Sequence, residues 1–142
     1  MLNLVVDPLV NYINLNGRAS RLQFWAFCLF VVLGITAFGQ IIELEKLAEL
    51  VLLFSITPTI ALSIRRVNDG QDLHTIGYFV VGGMWTASIV YYLIIIGVLK
   101  GLPAQEISTA NGFLMMGSLF FLLRPSQKSE NLHGPNPNEV SP

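Results

Sequence analysis

Charged residues are scarce in this chain. Lys, Arg, Asp and Glu together make up 12% of its 142 residues, about half of the ~25% found in an ordinary soluble domain. Hydrophobic residues reach 53% and the mean hydropathy is +0.61, which excludes a typical water-soluble domain. The formal net charge of -1 leaves no bulk positive charge for binding nucleic acid, so we expect no nucleic-acid partner.

Cysteine and histidine are nearly absent as well. The single cysteine, Cys28, excludes an intrachain disulfide and a metal site built on several cysteines. The two histidines, His74 and His133, have no partner at metal-ligand spacing, so we expect neither a metal nor a cofactor. No Gly-rich phosphate loop ending in Lys is found. We therefore expect no enzyme, with a lipid-modifying site built on the arginines, Asn68, Asp69 and His74 as the open alternative.

The chain has instead four long apolar stretches, at residues 24–42, 47–64, 76–99 and 107–123, with Glu49 as their only charged residue. At the rise of an α-helix these stretches reach about 25 to 36 Å, against a hydrocarbon core of about 30 Å. Lipid offers the backbone no hydrogen-bond partners, so each stretch must be helical. The sequence predicts an all-α, polytopic membrane protein with four transmembrane helices in one domain, residues 23–123.

Two alternatives compete with parts of this topology. The fourth stretch, taken alone, is short enough to be a buried helix of a soluble protein. The first stretch resembles a secretory signal, because two arginines precede it and Ala37-Phe38-Gly39 loosely matches the cleavage rule. Against a signal, the segment before the run is long and the run continues through Ile42.

Orientation follows from the distribution of lysine and arginine beside the four stretches. One side has two cations, Lys46 and Lys100, and the other has six. The six are Arg18, Arg21, Arg65, Arg66, Arg124 and Lys128. This asymmetry predicts that both termini and the middle loop face the cytoplasm of a bacterial inner membrane.

The segments outside the stretches have their own signals. Residues 1–22 form an N-terminal cytoplasmic segment with a short interfacial helix at residues 4–16, in which Asp7 caps and Pro8 takes the first helical position. The tail at residues 124–142 is rich in Ser, Asn, Pro and Gly, and its low apolar content predicts disorder.

Helix signals also mark the first two stretches. Ser20 and Gln23 have the spacing of a capping box, which predicts a helix starting near Arg21. Pro58 lies inside the second stretch and predicts a kink, with neighbouring Ser and Thr hydroxyls either bonding the freed carbonyl or making interhelical bonds.

Three polar motifs flank the stretches on the predicted cytoplasmic side. They are Gly17-Arg18-Ala19-Ser20-Arg21 with Phe24-Trp25, Arg65-Arg66-Val67-Asn68-Asp69, and Asn131-Leu132-His133-Gly134-Pro135-Asn136-Pro137. Over residues 12–137, their order and spacing resemble the Domain of Unknown Function 805 family of small bacterial inner-membrane proteins. Asn68 stands where that family has His, and His133 replaces its tail aromatic. The resemblance implies an inner-membrane protein of unresolved biochemical role and supplies no reaction.

The charged residues of these motifs are the candidate site. Arg18, Arg21, Arg65 and Arg66 act either as topology determinants that reach lipid phosphates, or as a group that converges with Asp69 on an anionic headgroup or a partner's carboxylate. Arg65 and Asp69 are four residues apart and would pair if the second helix continued past the membrane.

The favoured function is a non-enzymatic scaffold, regulatory or partner- and lipid-binding role through this basic cytoplasmic face. The expected partners are membrane lipids, including anionic headgroups, and a membrane or cytoplasmic protein, with homo-oligomers also open. The alternative is a subunit of an oligomeric small transporter or channel.

Overall fold

The computed structural model of the chain describes residues 2–41, 44–70 and 73–138. Its helices are α1 (Leu2–Val10), α2 (Arg21–Thr36, continued by a π-helical turn over Ala37–Ile41), α3 (Glu45–Asp69), α4 (His74–Ile95) and α5 (Ala104–Leu123). Within these ranges there is no β-strand, only an isolated antiparallel bridge between Asn131 and Gly134. The all-α prediction is confirmed.

Four helical segments are long and apolar enough to cross a membrane: Arg21–Gln40, Lys46–Asp69, His74–Ile95 and Ala104–Leu123. Their outer surfaces are oily, since Phe79 is 77% exposed and Phe113 and Met116 are each 72% exposed. A soluble protein rarely exposes such a continuous apolar surface, whereas lipid accepts it. The polytopic membrane fold is therefore confirmed.

Helix boundaries differ most from the apolar stretches at the ends of α3 and α4. Helix α3 does not stop with the second stretch but continues through Arg65 and Asp69 to a cap at Gly70, because its last turn is held by tertiary contacts. Helix α4 ends at Ile95, just before Gly97 adopts a positive φ of 77°. The predicted end of the first span, Ile42, lies outside the described residues.

The helices pack as two pairs, α2 with α3 and α4 with α5, and α3 joins the pairs through contacts with α4 and α5. The buried core lies where α2 begins and α3 and α5 end. It comprises Ala19, Phe24, Phe27, Leu62, Val67, Val81, Phe121 and Leu122. We call this end of the bundle, together with residues 17–20, 65–69 and 124–134, the polar end.

Helix α1 differs from the predicted N-terminal helix. It ends at Val10, and Pro8 lies inside it rather than at its first position. Asp7 does not cap a helix, because its carboxylate accepts hydrogen bonds from the side chains of Asn11, Gln23 and Arg65. The short helix thereby packs on α2 and α3.

The proline of α3 is accommodated by a contact that the sequence did not reveal. Pro58 has no N–H, so the carbonyl of Phe54, four residues earlier, lacks its helical donor. The hydroxyl of Tyr12 donates to that carbonyl at 2.5 Å. The expected Ser and Thr donors do not, since Ser55 and Thr59 bond other carbonyls of the helix. The predicted kink at Pro58 stays a prediction.

Glycines allow the close approach of α4 to its neighbours. A Cβ atom on Gly77 would lie 2.7 Å from Val67 Cγ1 and 3.0 Å from Phe121 Cδ1, closer than such atoms pack. Further along α4, Gly83 faces Leu114, whose nearest atom would lie 3.5 Å from a Cβ. Small residues at helix contacts are typical of membrane bundles.

We expect Gly77→Ala to destabilise the protein by about 1–3 kcal/mol, because the added methyl overpacks the junction of α3, α4 and α5. The matched control is Gly82→Ala on the same helix, where a Cβ has no neighbour within 4 Å and alanine gains about 0.5–1 kcal/mol of helix propensity. Denaturation in mild detergent measures both. Equal stability of the two variants would contradict the close approach.

Candidate functional site

Three segments that are far apart in the chain meet at the polar end. The residues before α2 contact the last turn of α3 through a hydrogen bond from Ala19 N to Arg65 O of 3.0 Å. The residues after α5 contact the same turn through a bond from Gln127 N to Asp69 O of 2.9 Å. The three motifs singled out in the sequence therefore form one surface.

Asp69 lies beneath this surface, where the three motifs meet, and is fully buried. Its carboxylate accepts from Arg18 Nε at 2.9 Å and from Arg66 Nη1 at 2.5 Å, and the hydroxyl of Ser126 also donates to it. The predicted pair of Arg65 with Asp69 is wrong. Asp69 instead turns toward the start of α2 and the tail, where Arg18 and Ser126 lie.

Arg18 holds the tail in place. Its side chain is 1% exposed, and its Nη1 donates to Ser129 O at 2.9 Å and to Gly134 O at 3.1 Å. Its Nη2 donates to Gln127 O at 2.5 Å. The planar guanidinium thus binds one carboxylate and three backbone carbonyls, a task that a lysine cannot perform with the same geometry.

Arg66 is fully buried and binds the end of α5. Its Nε donates to Leu122 O at 3.0 Å, and its Nη2 donates to Arg124 O. The last carbonyls of a helix have no partner within the helix and carry partial negative charge. Arg66 supplies these hydrogen bonds and thereby ties α5 to α3.

Arg65 and Gln23 face the other side of the bundle, toward α1. Arg65 Nη1 lies 3.2 Å from the carboxylate of Asp7, while its Nε and Nη2 are buried and have no hydrogen-bond partner in the described ranges. The predicted cap is confirmed for Ser20, which accepts from Gln23 N at 3.1 Å. The second half of the capping box is wrong, because the Gln23 side chain donates to Asp7.

The tail is ordered where a disordered tail was expected. For residues 124–138 that prediction is wrong, because Arg18, Asp69 and Asn68 provide the hydrogen bonds that its composition cannot; residues 139–142 lie outside the described ranges. Asn131 Nδ2 donates to Asn68 O at 3.0 Å, and Asn131 Oδ1 accepts from His133 N at 2.8 Å.

Asn68 has a larger role than the sequence indicated. Its Nδ2 donates to Leu15 O at 3.1 Å and to Gly17 O at 2.9 Å, and its Oδ1 accepts from the hydroxyl of Tyr78. Asn68 therefore links the segment before α2 to α4. From the sequence, Asn68 was named only in the alternative of a lipid-modifying site and as the residue that stands where the family has His, and neither signal indicated a role in joining segments.

The two histidines meet beside the tail. The rings of His74 and His133 are 5.6 Å apart, and His74 Nδ1 lies 3.1 Å from Val67 O. Burial, followed by the charges of His74 and Arg18, lowers the pKa of His133 below its usual 6.5. When the tail is packed in this position, the lowered pKa favours the neutral form of His133. No group of three or more His, Cys, Asp or Glu able to hold a metal occurs among the residues described.

The five charged candidates therefore lie in three different environments. Arg18, Arg66 and Asp69 are buried and bonded to one another and to the backbone, so they fix the shape of the polar end. Arg65 binds α1. Arg21 alone is exposed, although its charge acts on the Arg66 guanidinium nearby.

Comparison with known proteins agrees with this arrangement. The family described as "Protein of unknown function (DUF805)" matches residues 12–135, which include the first two motifs and the first five residues of the third. The chain is similar to "Inner membrane protein YhaI" of Escherichia coli strain K12 and of Escherichia coli O157:H7, with 41% identity over 69 residues in each case. That alignment covers 45% of this chain and 58% of each relative, so the chain spans less than two thirds of the curated relatives it matches. No solved structure matches. The relatives and the four apolar helices together support a multi-pass inner-membrane protein.

We expect Asp69→Asn to release the tail, because two buried guanidiniums lose their only buried carboxylate partner among the described residues, and breaking such a pair costs about 3–5 kcal/mol. Hydrogen–deuterium exchange in detergent should show faster exchange over residues 126–134. Ser126→Ala, which removes one bond worth about 1 kcal/mol, should give a smaller increase. The control is Glu130→Gln, which changes an exposed carboxylate of the tail and should leave exchange unaltered. A wild-type exchange pattern in Asp69→Asn would show that Asp69 does not hold the tail.

Proposed function

The chain belongs to the DUF805 family of proteins of unknown function, and from this premise we propose that it is a non-enzymatic scaffold or regulatory protein. In this proposal it sits in the bacterial inner membrane and binds a partner protein through its polar end, which faces the cytoplasm.

The proposal rests on the buried charged side chains of the polar end and on the backbone segments that they bind. Arg18, Arg66 and Asp69 are each at most 9% exposed, and together they hold backbone segments rather than face an open polar cavity. Burying charges carries a desolvation penalty that good hydrogen bonding must offset. The bonds made here give a surface of defined shape, which supports recognition of a partner.

The placement of cations supports the proposed orientation. All six cations of the larger group belong to the segments at the polar end, whereas Lys46 and Lys100 lie near the opposite ends of the helices. Among short loops, those on the cytoplasmic side of the membrane carry an excess of lysine and arginine.

We expect cysteine labelling to show this orientation. In a Cys28→Ser background, Glu130→Cys should react with a membrane-impermeant maleimide only after spheroplasts are lysed. Leu102→Cys, in the exposed loop between α4 and α5, should react in intact spheroplasts. The reverse pattern would place the polar end outside and defeat this part of the proposal.

Partner binding is tested by charge reversal at matched exposed lysines. Lys128 lies in the tail at the polar end and Lys100 lies at the opposite end, and both are exposed. Crosslinking in cells followed by purification should recover a stoichiometric partner with the wild type and with Lys100→Glu. Recovery should fall at least tenfold with Lys128→Glu, which corresponds to about 1.4 kcal/mol. If no partner is recovered, or if both variants retain it equally, the polar end is not the binding surface.

A further inference from the structure

An apolar cleft opens between α2 and α5. Because α2 packs on α3 and α5 packs on α4, a space of about 400 Å³ remains between α2 and α5. A cavity of this volume is in the range of small-molecule sites. Its walls include Trp25, Cys28, Met84, Trp85, Met115 and Leu119.

The serine and threonine hydroxyls in the walls of the cleft are already bonded within the protein. Ser63 donates to Thr59 O at 2.7 Å and accepts from Trp85 Nε1 at 3.2 Å. Ser118 donates to Val80 O at 3.4 Å. The cleft therefore offers hydrocarbon contacts rather than hydrogen bonds, which suits an acyl chain and not a polar solute.

Arg21 is the first residue of α2, one helical turn from the lining residue Trp25 toward the polar end, and we call this end of the cleft its mouth. Residues at positions i, i+4 and i+7 share one face of a helix, so Arg21 heads the stripe of α2 that continues with Trp25 and Cys28. Its charge acts on Arg66, whose guanidinium binds the last carbonyls of α5. Arg21 is thus near both helices that form the cleft.

The mouth carries an excess of positive charge. The guanidiniums of Arg18, Arg21 and Arg66 outnumber the carboxylate of Asp69, and the neighbouring pair of Arg65 with Asp7 adds one charge of each sign. Arg18 and Arg66 direct their donors to protein oxygens, whereas Arg21 is exposed. An anion beside Arg21 would offset this charge.

From this juxtaposition of an exposed arginine and an apolar cleft, we propose that the protein binds one anionic phospholipid, with its phosphate at Arg21 and an acyl chain between α2 and α5. A zwitterionic lipid would fill the cleft with the same chain but would leave the excess charge at the mouth unbalanced. This site does not depend on the protein partner proposed above, so either proposal can fail alone.

The position of the tryptophans allows a direct test. The chain has two tryptophans, and both line the cleft, so Trp25→Phe leaves Trp85 as the single reporter. The full chain is reconstituted in phosphatidylcholine vesicles that contain a small fraction of phosphatidylglycerol or phosphatidylcholine with brominated chains. Brominated phosphatidylglycerol should half-quench Trp85 at about fivefold lower fraction, the preference that one arginine beside an anionic lipid provides.

Variants at the mouth identify the source of this preference. Arg21→Gln should abolish it and Arg21→Lys should keep most of it, while Lys100→Gln, at an exposed cation of the opposite end, should leave it unchanged. Unaltered circular dichroism shows that each variant is folded.

Three results would overturn the proposal. Equal quenching by the two brominated lipids would show no preference for an anionic headgroup, and an unchanged preference in Arg21→Gln would place the headgroup elsewhere. Crosslinking of Cys28 to Cys28 between chains by a bismaleimide, with little quenching by either lipid, would show that a second copy fills the cleft.

Discussion

The structure depends on one buried carboxylate shared by two guanidiniums. Asp69 joins Arg18, 51 residues earlier in the chain, to Arg66 on its own helix. Arg18 then binds the tail and Arg66 binds the end of α5. If Asp69 were not charged, two buried cations would face each other without compensation. Asp69 therefore connects all three segments at the polar end, and Asn68 adds hydrogen bonds to the segment before α2 and to the tail.

Away from the polar end, packing is looser, and lipid explains why. Inside a bilayer, apolar side chains gain little by leaving lipid for protein, so helices associate through close packing and hydrogen bonds instead. In this region α4 contacts α5 at Gly83, and the hydroxyl of Tyr12 bonds the carbonyl that Pro58 leaves free. Between α2 and α5 the described residues make neither a close contact at a glycine nor such a hydrogen bond, and a cleft remains there.

The candidate site shows what sequence reasoning could and could not predict. Arg18, Arg66 and Asp69 were grouped from the sequence because motifs on the same side of four spans come close in space, and in the structure these three residues are in contact. Their role was misjudged, since a charged residue beside a membrane was expected to face lipid or a partner and these are buried. The choice of Arg65 as the partner of Asp69 followed from helical spacing alone. In the structure, Arg65 pairs with Asp7 of α1 instead, because α1 packs where the carboxylate of Asp7 reaches Arg65.

Composition and segment length were enough to predict the helical class, the four membrane segments and the grouping of six cations at one end of the helices. These properties follow from local composition and length, since a long apolar run has one stable conformation in lipid. The tertiary structure alone decided which guanidinium meets which carboxylate, whether the tail is ordered, and where the cleft lies. Each of these depends on distances of a few ångströms between segments that are remote in the chain, and composition carries no record of such distances.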